Sequence, residues 1–221
     1  MSSVAKLQAL PFLKQLKEAP DPAHPAEEVS SPDAFQKSFF DSSPLSDWAL
    51  LKGRLTEMSG DSALSMAMHF VKEAQCHGEP VAFITDLEHV FFPPDLVQNG
   101  IDVNALVVAL LSDGNEKVRA ADQLARSGAF GLIVVDLAHQ PRVTPALMSR
   151  LLGLAQKHDT AILFLSAPQT SLGALVSLRV EASLSRRRRD EYVCEVRAIK
   201  DKKRAPGWKH HEGFRGPTGL H

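Results

Sequence analysis

The sequence predicts an α/β protein with a mainly parallel sheet flanked by helices and an antiparallel C-terminal extension. Three observations carry the layered part of that prediction. Between Arg54 and Leu165, short apolar runs alternate with segments of helical length. Runs such as Val81-Ala-Phe-Ile-Thr85 lack polar alternation, as strands buried on both faces require. After Ser171 the helices stop and two strand-like segments follow one another.

Taken in order, Val4 to Glu18 places Leu7, Leu10, Leu13 and Leu16 close to helical spacing, interrupted by Pro11. Pro20 to Asp33 is rich in Pro, Ser and Glu and reads as a linker. Ala34 to Phe40 is a short aromatic-bearing segment, and Pro44 to Leu51 leads into the core. Strands are expected at Arg54–Met58, Val81–Thr85, Ala105–Leu111, Gly131–Asp136 and Thr160–Leu165. Helices are expected at Ala63–Gln75, Asn115–Ser127 (stopped by Gly128) and Thr144–Lys157, with a short helical turn at Pro94–Gln98. Ser177–Ser183 and Tyr192–Lys200 form the antiparallel pair. Gly207 to His221 is rich in Gly, His and Pro and is expected to be a flexible tail. The division is thus an N-terminal helix and linker over 1–45, a core over 46–206 and a tail over 207–221.

A chain of 221 residues, 44% hydrophobic, suits one globular domain with flexible ends. Its net charge of −1 steers it to no class of partner. Cys76 and Cys194 make neither a disulfide framework nor a zinc site, so a reduced cytoplasmic setting is expected, with no metal and no cofactor. No run approaches the ~20 apolar residues of a membrane span.

The first strand leads through Gly60 into a helix, where a phosphate-binding loop reads G-x-x-x-x-G-K-[ST]. Here the string is Gly60-Asp61-Ser62-Ala63-Leu64-Ser65-Met66-Ala67. Ser65 replaces the second glycine, Met66 the phosphate-binding lysine and Ala67 the metal-binding hydroxyl. Asp61 adds negative charge, so the loop is expected to repel a triphosphate.

The order of segments resembles the RecA-type recombinase core over roughly 46–206. Gly53-Arg-Leu-Thr-Glu57 is similar to the strand before that family's phosphate loop, and Ala82-Phe-Ile-Thr-Asp-Leu-Glu-His89 to the segment bearing its catalytic glutamate. Gly100-Ile-Asp-Val-Asn-Ala-Leu106 resembles the turn that follows. Leu124-Ala-Arg-Ser-Gly-Ala-Phe-Gly-Leu-Ile-Val-Val-Asp136 resembles the helix and Walker B strand, and Ser177–Glu181 and Val196–Lys202 the two late strands. The departures matter equally. Ser166-Ala167 stand where the family has a nucleotide-sensing Asn-Gln, and the segments that carry its two DNA-binding loops are too short to hold them. Shortened, loop-deficient chains of this kind resemble the ImuA-type accessory protein of the bacterial mutagenic repair cassette and, more distantly, the SulA-type division inhibitor.

The resemblance implies a site for each retained residue, and each has a plainer alternative. Asp136 stands at the Walker B position and Glu88 at the position of the water-activating glutamate. Without the loop lysine both are read as relics, Asp136 capping the neighbouring helix, and no catalytic residue is expected. His89 is read as structural. Arg186, Arg187, Arg188 and Arg189 either grip phosphates or an acidic partner, or form a solvated hairpin tip. Lys200 and Lys202 match a Lys-x-Lys that reaches the neighbouring protomer's nucleotide in the family. They thereby suggest a protein that caps a RecA protomer; the alternative is an ordinary basic strand end. Trp208 and Phe214 are either partner anchors in the tail or inert.

The expectation is therefore a non-enzymatic adaptor in the SOS response and translesion DNA synthesis, partnered by RecA and a Y-family-like polymerase subunit. It restrains recombination, with DNA binding weak or indirect, no membrane contact and nucleoid association on damage. A SulA-type division inhibitor and a DNA-binding RecA paralogue stand as alternatives.

Overall fold

The computed structural model describes residues 48–87, 93–137, 143–188 and 191–215. The N-terminal leucine stripe and linker, Glu88, His89, Arg189 and residues 216–221 lie outside them.

A 3-10 turn at Trp48–Leu50 plugs the core and leads to β1, Leu55–Ser59. Then follow α1 (Ala63–Cys76), β2 (Val81–Thr85), α2 (Pro93–Gln98) and, after a second 3-10 turn, β3 (Leu106–Leu110). Next come α3 (Gly114–Ser127), β4 (Leu132–Asp136), α4 (Pro145–His158) and β5 (Ala161–Ser166). The chain closes with β6 (Leu178–Arg188), β7 (Glu191–Asp201) and β8 (Lys209–Arg215). All eight strands form one sheet in the order β3-β2-β4-β5-β1-β6-β7-β8. Pairing is parallel from β3 to β6 and antiparallel from β6 to β8.

Burial explains why the apolar runs were legible as strands. Every residue of β1, β2, β4 and β5 is buried. Met66, Phe70 and Val71 of α1 pack on one face of the sheet with Met58, Phe83, Val134 and Leu163. Val118 and Ala121 of α3 and Leu151 of α4 cover the other face with Ile133, Val135 and Ile162. Local chemistry sets the helix ends. Asp113 caps α3 by accepting from Asn115 N at 3.3 Å, and Gly128 ends it with a φ of 65° that favours glycine. Thr144 Oγ1 accepts from Leu147 N at 3.4 Å to start α4, just before Pro145. The cap of α4 is thus Thr144.

The C-terminal end corrects the sequence reading. Residues 209–215, expected in a flexible tail, form β8, which pairs with β7 from Arg197↔Lys209 to Glu191↔Arg215. Composition hid this strand because two of its inward residues, His210 and Glu212, are polar, and Phe214 is the apolar residue beside them. β6 also runs beyond Ser183 to Arg188, so Arg186 to Arg188 lie in a strand.

Candidate functional site

The site to examine is the turn between β1 and α1. It holds only Gly60, Asp61 and Ser62, too few to wrap a phosphate group with main-chain N–H groups. Gly60 adopts a φ of 108°, and a Cβ there would stand 2.0 Å from the carbonyl oxygen of Ala182 on β6. Glycine is required on both counts. The next two residues tie the turn to the same hairpin. Asp61 Oδ1 accepts from Leu184 N at 3.0 Å. Ser62 N donates to Ala182 O at 3.4 Å. The Ser62 hydroxyl meets the Cys194 thiol of β7 at 2.9 Å. Burial pushes the Cys194 thiol up to about 11, against the pull of Ser62, so it is a thiol at neutral pH. Met66 and Ala67, at the positions of the family's lysine and hydroxyl, are fully buried in the core. Ser65 is half-buried. The turn is therefore closed by a neighbouring strand as well as lacking the charged side chain.

Asp136 ends β4 with its side chain buried, and its Oδ2 accepts from Thr85 Oγ1 at 3.1 Å. On the loop that continues towards Glu88, Asp86 Oδ2 pairs with the buried Lys117 Nζ of α3 at 2.7 Å.

Two polar centres escaped the sequence reading. Glu57 is wholly buried in the middle of β1. Its Oε1 accepts from Ser166 Oγ at 3.0 Å, and its Oε2 from Leu172 N at 3.2 Å. Arg179 Nε stands 3.8 Å from that same Oε2, and the Arg179 guanidinium donates to Thr170 O. Glu57 thus pins the segment after β5 to the sheet. The second centre joins Arg54 and Asp201. Arg54 donates to Asp201 Oδ1 at 2.9 Å, to Ser177 Oγ at 2.8 Å and to Leu50 O at 3.3 Å. The signal for both was a charged residue in a run otherwise expected to be buried.

The remaining predicted residues are dispersed. Lys200 Nζ lies 3.3 Å from the carbonyls of Gly173 and Ala174, so it is engaged within the chain. Burial lowers its pKa, aided by Lys202 and Arg179 and opposed by Glu57. Lys202 is exposed. Trp208, expected as a free anchor, donates from Nε1 to Asp201 Oδ2 at 3.2 Å. Phe214, expected likewise, packs against the core. Both are corrected to packed positions because β8 carries their segment onto the sheet. Arg186 is exposed on β6, opposite Tyr192. Among the described residues no group of His, Cys, Asp and Glu is placed to hold a metal ion. Nor is any described helix long and apolar enough to cross a membrane.

Comparison with known proteins bears on the fold. Residues 45–147 match the RecA N-terminal domain family. RecA of Chlorobaculum tepidum is 28% identical over 148 residues, covering 57% of this chain and 42% of the relative. RecA of Fusobacterium nucleatum subsp. nucleatum is 29% identical over 144 residues, covering 55% and 38%. The chain spans about two fifths of the length of the curated relatives it matches. Among solved structures, the RadB recombinase superposes with a TM-score of 0.58 at 18% identity, covering 75% of this chain and 88% of that one. The fold is RecA-like, and residues 45–147 are similar to the RecA N-terminal domain.

Proposed function

We propose that this chain is a RecA-like adaptor that does not hydrolyse ATP and works by binding RecA and a Y-family-like polymerase subunit in translesion DNA synthesis. The observation that supports this most is the closed turn between β1 and α1. Ala182 O occupies the space beside Gly60, and Met66 and Ala67 are turned into the core. A scaffold related to RecA that keeps its sheet but not its phosphate loop retains the surfaces by which such proteins meet one another. Presenting one such surface without the means to extend a filament would restrain recombination. This is the ImuA-type reading, and it sets the protein in the SOS response.

The test is direct binding of the purified chain to RecA, with and without ATP and single-stranded DNA. Micromolar or tighter binding is expected, together with no ATP binding by the chain alone at millimolar concentration. Absence of binding in every state would sink the adaptor reading. A second reading, DNA binding, is favoured by one observation: β6 carries Arg186 to Arg188 past Glu181, where its pairing with β1 ends. Affinity for DNA that falls steeply with salt, and is lost when these arginines become alanine, is its signature.

A further inference from the structure

The chain enters the described fold at Trp48, and its packing fixes the place of entry. Trp48 is buried, and its carbonyl accepts from Leu51 N at 3.0 Å. One side chain joins this turn to the far end of β7. Arg54 donates to Leu50 O at 3.3 Å and to Asp201 Oδ1 at 2.9 Å. The entry point therefore lies one guanidinium away from the run Asp201-Lys-Lys-Arg204.

That run is electrically unbalanced. Asp201, its one carboxylate, is buried and accepts from Arg54, Lys203 N and Trp208 Nε1. Lys202, Lys203 and Arg204 are exposed, and none has a carboxylate partner among the described residues. Beside them on β7, Ile199 is 43% exposed. The excess extends beyond the run: residues 178–215 carry twelve Lys and Arg against six Asp and Glu.

Residues 18–47, which lead into Trp48, have the opposite composition. They carry seven Asp and Glu against one Lys, with Phe35, Phe39 and Phe40 among them. Asp47 is next to Trp48, and Asp41 is seven residues before it, a reach of about 23 Å in extended chain. An isolated surface ion pair adds little, but several charges facing several others add more. A short tether also holds a segment near its target at roughly millimolar effective concentration, so weak contacts suffice.

We propose that the acidic segment 18–47 docks within its own chain on Lys202, Lys203, Arg204 and Ile199, its carboxylates on the cations and a phenyl group on the isoleucine. A phosphate-bearing ligand then reaches the run only by displacing the segment. This goes beyond the adaptor reading and does not depend on RecA.

The test compares amide NMR spectra of the full chain with those of a variant in which Glu27, Glu28, Asp33, Asp41 and Asp47 become Gln or Asn. Amides of residues 199–204 are expected to shift, whatever the protein concentration, and those of β2 are not. Unchanged amides at 199–204 overturn the proposal. So does a shift that disappears on dilution, which would place the segment on a second copy. The variant should also bind inorganic tripolyphosphate about tenfold more tightly at low salt. Five lost negative charges strengthen anion binding anywhere on the molecule, so the gain is measured again with Lys202, Lys203 and Arg204 changed to Gln. Loss of the gain in that background supports docking on the run. A gain that survives there, or no gain in the first variant, overturns it.

Discussion

Arg54 and Asp201 stand 147 positions apart and meet in the interior, where the guanidinium bonds the carboxylate at 2.9 Å. The same carboxylate accepts from Lys203 N at 2.9 Å and from Trp208 Nε1 at 3.2 Å. A charge this deeply buried is tolerable only while every partner is in place. Asp201→Asn leaves Arg54 uncompensated and is expected to cost about 3 kcal/mol or more, read from the midpoint of urea unfolding. A loss below about 1 kcal/mol would show that the guanidinium finds another acceptor. The pH dependence has a definite sign. Burial pushes the Asp201 carboxyl up, but the hydrogen bonds from Arg54, Lys203 and Trp208 together hold it below its ordinary value. Its contribution is present above about pH 3.9 and is lost as pH falls through the lower folded value. Arg54 in an otherwise apolar run was the one signal along the chain, and its partner was not legible. Trp208 sits among Gly, Pro and Lys, the company of a tail residue, and only the return of the strand shows that its partner is Asp201.

Elements differ in how much of themselves they reveal. β2 and β4 were readable because both faces are covered, which leaves an unbroken apolar run. The end of α3 was readable from Gly128, whereas its start, expected at Asn115, falls at Gly114 behind the cap Asp113. β8 was not, because Lys209 and His211 face solvent and two of its inward residues, His210 and Glu212, are polar. Its order comes from its neighbours: the ladder with β7, and His69 on α1. Truncation after Pro206 should therefore behave as the loss of a structural element and not as the trimming of a tail. The shortened protein is expected to unfold at several kcal/mol lower stability. It should also self-associate on size-exclusion chromatography through the uncovered edge of β7. A truncated protein that matches the full chain in both measurements would show that β8 contributes nothing to either.

On the scale of the whole molecule, the candidate site was legible as a set of missing residues, but the way the space is filled was not. The sequence shows Met66 and Ala67 where a lysine and a hydroxyl would serve a phosphate. The structure adds that both positions point into the core and that β6 lies against the turn. Restoring the motif by Met66→Lys with Ala67→Ser is therefore expected to give no ATP binding at millimolar nucleotide, by calorimetry. It should also lower the unfolding midpoint, because a lysine is forced into an apolar site. Measurable ATP binding by this double variant would show that the turn opens more easily than its contacts suggest. The atom that closes the turn beside Gly60 is the main-chain oxygen of Ala182, which every amino acid possesses. No exchange of one residue for another at position 182 can remove it. Point mutation can change the chemistry of this corner but not its room, which only residues inserted between β1 and α1 would widen.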